Sequence, residues 1–76
     1  MLRQIFARVL GEPLERITED ISTLTLLSWD SIRHVELVIT LEEAYNTTFT
    51  TEEIIAMTSF QGICQVLRKK GVSIEY

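Results

Sequence analysis

Apolar residues recur at helical spacing in separate segments of this chain, and that repetition restricts it to packed helices. Leu2, Ile5, Phe6, Val9 and Leu10 fall at i, i+3, i+4, i+7 and i+8, one face of an amphipathic helix. Leu37, Val38, Leu41, Ala44 and Tyr45 share a face of a second helix, with His34 at its end. Phe60, Ile63, Cys64, Val66 and Leu67 repeat the pattern. Seventy-six residues make one domain with a marginal core. Packed helices are the usual solution at this size when disulfides and metals are absent. Cys64 is the only cysteine and His34 the only histidine, so neither an intrachain disulfide nor a His/Cys zinc set can form. The expected fold is all-α: a small four-helix bundle, three longer helices and one short one, with a long loop between helices 1 and 2. It spans residues 1–76, with 72–76 as a loose tail.

The punctuation agrees with this. Gly11 ends the first helix and Pro13 prevents its continuation. Residues 11–29 form a long connection, in which Leu14 and Ile17 suit one buried helical turn and Leu24, Leu26 and Leu27 suit anchors to the core. Loops of this length in small domains are often functional. The second long helix runs from Ser31 to about Tyr45. Asn46-Thr47-Thr48 closes it, and Phe49 is expected to be buried. Thr51 with Glu52-Glu53 supplies a cap and an acidic first turn for the short helix. Met57-Thr58 is a joint, Ser59 caps the last helix, and Gly71 stops it.

Charge narrows the partners. Residues 30–53 hold six acids (Asp30, Glu36, Glu42, Glu43, Glu52, Glu53) against Arg33 alone. The remainder is nearly balanced. Such acidity repels nucleic acid and attracts basic protein surfaces. No apolar run approaches membrane-spanning length. With no signal-peptide core either, the chain reads as soluble and cytoplasmic.

Enzymatic chemistry is poorly supplied. His34 lies three residues after Ser31, close enough to touch it across one turn, but without a third group to orient it. It reads better as an imidazole at the edge of the core. Cys64 sits on an apolar helical face and reads as a structural thiol. The adjacent glutamate pairs diverge, and Gly11, Gly62 and Gly71 are too scattered to cradle a phosphate.

What remains is Asp30-Ser31 at a helix start. Asp30 suits the N-cap. Ser31 then presents its hydroxyl to solvent near the positive end of the helix dipole, where a phosphate ester would be stabilised. On the face opposite the core lie Ile32, Val35 and Ile39, with Glu36, Glu42 and Glu43 beside them. An apolar stripe edged by carboxylates suits a docking surface. Two other readings stay open: a helical interaction module whose stripe binds a partner helix, and a homodimer seam.

The run Trp29-Asp30-Ser31-Ile32, followed by Val35-Glu36-Leu37-Val38 and Leu41-Glu42-Glu43, resembles the phosphopantetheine attachment region of acyl carrier proteins. The likeness in helix order extends over residues 1 to about 71. It implies that Ser31 receives 4′-phosphopantetheine from coenzyme A, and that the arm's thiol carries an acyl or aminoacyl group as a thioester. Asp30 would cap the helix and mark the site for a phosphopantetheinyl transferase. Ile32, Arg33, Val35, Glu36, Ile39, Glu42 and Glu43, with Trp29, would face that transferase, an acyl-loading ligase or transferase, and downstream synthases. A core lined by Phe6, Leu27, Val38, Leu41, Ile54 and Ile63 would shelter the acyl chain. The resemblance implies a monomeric carrier without catalysis, serving fatty acid, polyketide or other secondary biosynthesis. Carriers of fatty acid synthesis usually have a glycine shortly before the Asp-Ser pair and an acid where this chain has Arg33. These departures lean toward a specialised freestanding carrier. Trp29 either packs on the loop or guides the arm or a partner.

Overall fold

The computed structural model describes residues 1–74. Four α-helices appear: α1 (Leu2–Leu10), α2 (Ser31–Tyr45), α3 (Thr51–Ala56) and α4 (Phe60–Lys69), with a single 3₁₀ turn at Leu14–Arg16. The all-α bundle follows the apolar periodicity. Leu2, Ile5, Phe6 and Leu10 from α1 meet Leu37, Val38 and Leu41 from α2 and Phe60, Ile63, Cys64, Val66 and Leu67 from α4. No helix among the described residues is long and apolar enough to cross a membrane.

The ends are set by local chemistry. Gly11 closes α1 at φ 66°, and Asn46 closes α2 at φ 51°, both left-handed conformations that favour these residues. Helix α3 begins one residue earlier than its acidic pair suggests. Thr50 is the N-cap and forms a reciprocal capping box with Glu53: Glu53 N–H donates to Thr50 Oγ1 (3.1 Å) and Thr50 N–H to Glu53 Oε1 (2.9 Å). Ser59 Oγ caps α4 by accepting from Gly62 N–H at 2.9 Å.

The long loop holds the main corrections. Leu26 is buried, but Leu24 and Leu27 are 91% and 96% exposed and anchor nothing. Leu14 also faces outward, so Ile17 alone buries that turn. The loop is fixed instead by backbone pairing. Ser22 forms an isolated antiparallel bridge with Ser59, flanked by Phe60 N–H to the Ile21 carbonyl and Thr23 N–H to the Thr58 carbonyl, both 3.0 Å. This pairing carries Ile21 into the core and satisfies backbone groups that a buried loop would otherwise strand. Arg3 adds hydrogen bonds to the carbonyls of Ile17 (2.8 Å) and Leu14 (2.9 Å).

Several further positions differ from the expected burial. Ala44 is exposed, whereas Tyr45 and Phe49 are half-buried. Met57, placed in a joint, is fully buried. Of the expected loose tail, Val72 N–H donates to the Leu67 carbonyl at 3.0 Å, and Val72 and Ile74 pack on the core. Residues 75–76 of that tail lie outside the described residues.

Candidate attachment site at the start of α2

Asp30 leaves the loop in an extended conformation and turns the chain into α2. Its Oδ1 accepts from Arg33 N–H at 2.8 Å, and its carbonyl accepts from His34 N–H at 2.8 Å. These are the side-chain cap and the first intrahelical bond. Ser31 is therefore the first residue of the helix, and it is exposed. The N–H groups of Ser31 and Ile32 precede the first intrahelical bond, so both remain available to an anion at the positive end of the dipole.

Trp29 does not join this surface. It is only 2% exposed and packs edge-on against Phe6, with ring centroids 5.4 Å apart. Phe6 in turn lies 4.9 Å from Phe60. A large apolar ring two residues before a helix start finds the core more readily than solvent. Its placement among partner-facing residues is corrected on that ground. The buried indole N–H donates to His34 Nδ1 at 3.0 Å. His34 Nε2 lies 3.0 Å from the Ile54 carbonyl. An indole N–H can only donate and a carbonyl can only accept, so the imidazole is the neutral Nε2–H tautomer, accepting at Nδ1 and donating at Nε2. His34 thus has the orienting partners that the sequence did not reveal, and they are not Ser31.

Arg33 also differs from expectation. It is half-buried, and its Nη1 donates to the Val9 carbonyl at 2.7 Å. The cation poorly placed for the start of α2 is well placed for the end of α1, where unpaired carbonyls concentrate. Glu42 is similarly engaged: its Oε2 accepts from Phe49 N–H at 2.9 Å and closes the turn after α2. Both residues have structural partners on the protein itself.

The rest of the stripe is presented as expected. Ile32, Val35 and Ile39 are exposed large apolar residues, with Ile32 at 71%. Glu36 and Glu43 are exposed beside them. Leu24 and Leu27 from the loop and Ile55 from α3 are exposed large apolar residues as well. Leu27 is removed from the core lining, and Ile54 is only half-buried. The short helix is held largely by polar contacts. It has no fully buried residue. Lys70 Nζ pairs with Glu53 Oε1 at 2.9 Å and lies 5.5 Å from the centre of the Phe49 ring. The Thr50 N–H, and after it the Lys70 ammonium, hold the Glu53 carboxyl below its ordinary range.

The phosphopantetheine attachment site family matches residues 2–67. The chain belongs to the acyl carrier protein family. It is 34% identical over 68 residues to an acyl carrier protein of Buchnera aphidicola subsp. Baizongia pistaciae, covering 90% of this chain and 87% of that one. It is 30% identical over 69 residues to "Polyketide-8 synthase acyl carrier protein 2" of Streptomyces avermitilis, covering 91% and 79%. Membership entails a covalently attached 4′-phosphopantetheine group. The start of α2 fits such a group: an exposed serine at the first helical position and two first-turn N–H groups without an intrahelical partner.

Proposed function

We propose that Ser31 receives the 4′-phosphopantetheine and that the arm's terminal thiol then carries an acyl or aminoacyl group as a thioester between enzymes. The supporting observation is the exposed Ser31 hydroxyl on the first residue of α2, within a family match that runs through this motif. A phosphodiester formed there is favoured by the helix dipole and the free first-turn N–H groups. Asp30 holds the turn that presents it.

The carrier acts as a monomeric single domain without catalysis of its own, in the cytoplasm, where its one cysteine stays reduced. Ile32, Val35 and Ile39, edged by Glu36 and Glu43, support docking by enzymes with apolar surfaces ringed by bases. These comprise a phosphopantetheinyl transferase, an acyl-loading enzyme and downstream synthases of fatty acid, polyketide or other secondary biosynthesis. The test is incubation with coenzyme A and a broad-specificity phosphopantetheinyl transferase, followed by intact mass. A gain of one phosphopantetheinyl group in the wild type, absent in Ser31→Ala, supports the reading. No gain in the wild type refutes it.

A further inference from the structure

Every polar atom of the His34 ring is committed to a different element. Nδ1 takes the indole N–H of Trp29, in the loop two residues before Ser31, and Nε2–H goes to Ile54 of α3. His34 itself lies one turn into α2. We propose that His34 is a positioning residue for the attachment site, clamping the loop and α3 to the start of α2 so that Ser31 and the surface around it are held in one arrangement. This rests on Ser31 being the attachment residue.

The loop side of the clamp is short and stiff. Trp29, Asp30 and Ser31 are consecutive, and the indole also packs at a steep angle against Phe6. A shift of the indole would therefore be passed through Asp30 to the attachment hydroxyl. Burial makes the bond consequential, because an unpartnered indole N–H inside the protein costs its full desolvation penalty. On the α3 side apolar anchorage is weak, since no residue of that helix is fully buried. The His34 bond to Ile54 reaches α3 directly from the first turns of α2. Ile55, the next residue, is exposed, as are Ile32 and Val35 on α2. The clamp thus aligns α3 with the docking stripe as well as fixing the serine.

The bond geometry supplies a selective test. Glutamine can accept through Oε1 and donate through Nε2, the same pair of roles. Leucine keeps apolar bulk and supplies neither. Loading by the transferase with coenzyme A is measured for wild type, His34→Gln and His34→Leu, together with emission from Trp29, the only tryptophan. His34→Leu is expected to lower kcat/KM for loading about tenfold, the scale of one lost buried hydrogen bond, and to shift Trp29 emission. His34→Gln is expected to restore most of both. If the Leu variant does not fold, Trp29→Phe keeps an aromatic ring in the core beside Phe6, removes the donor together with the pyrrole ring, and is expected to slow loading in the same way. Gln and Leu variants that load alike, or a folded Trp29→Phe that loads at the wild-type rate when the Leu variant cannot be read, overturn the proposal. A wild type that is not loaded at all overturns the Ser31 assignment, and this inference with it.

Discussion

Arg33 Nη1 donates a 2.7 Å hydrogen bond to the Val9 carbonyl, joining the first turn of α2 to the end of α1. Hydrogen bonds to charged groups contribute about 1.5–3 kcal/mol. Arg33→Met keeps much of the stem and removes the donor. It is expected to lower unfolding stability by about 1–2 kcal/mol in denaturant titration. An unchanged midpoint would mean that the bond contributes nothing to stability.

Gly62 permits a close approach of two helices. A Cβ built there would sit 2.7 Å from the Ala56 carbonyl oxygen and 3.0 Å from Ser59 Oγ. Alanine is ordinarily the better helix residue by about 1 kcal/mol. Here the backbone contact dominates, and Gly62→Ala is expected to destabilise the carrier, reading as a lower melting temperature. A rise would show that α3 can move away without loss.

Glu53 links pH to stability. Its carboxyl is held low in the folded state by the Thr50 N–H and by Lys70. A depressed folded value adds stability that is present above the ordinary value of 4.5 and is lost as pH falls through the lower folded value. Glu53→Gln is therefore expected to flatten the acid side of the stability profile below that ordinary value. An acid limb as steep as that of the wild type would contradict the assignment.

Two carboxylates on α2 are expected to separate by role. Glu36 is exposed and has no structural bond to lose, so Glu36→Lys should raise the transferase KM several-fold while changing stability by no more than about 0.5 kcal/mol. Glu42 closes the turn onto Phe49 N–H, so Glu42→Ala should lower stability. Melting curves and loading kinetics on both variants check this contrast.

The difference between these positions indicates what a sequence can disclose. Helix α1, helix α2 from Ser31 and the core face of α4 follow from apolar spacing, because burial acts on a repeating face. The exposed Ile32, Val35 and Ile39 follow from the same geometry read on the other side. Leu24, Leu26 and Leu27 lie in a loop, where no period distinguishes inward from outward, and only Leu26 is buried. The partners of Arg33 and His34 are equally hidden, since the bond to Val9 spans 24 positions and the bond to Ile54 spans 20. Trp29 offered one signal. A buried indole N–H needs an acceptor, and the one histidine of the sequence lies five positions on, where Trp29 pairs with it.

The central claim is that Ser31 bears the prosthetic arm. Tryptic cleavage of the loaded, denatured protein after Arg16 and Arg33 releases the 17–33 peptide, which contains Ser22, Ser28 and Ser31. Fragmentation of that peptide in a mass spectrometer reads the position directly. The account predicts that the C-terminal fragment Ser31-Ile32-Arg33 carries the phosphopantetheinyl mass and that Ile32-Arg33 does not. The added mass on a fragment containing Ser22 or Ser28 but lacking Ser31 would contradict it.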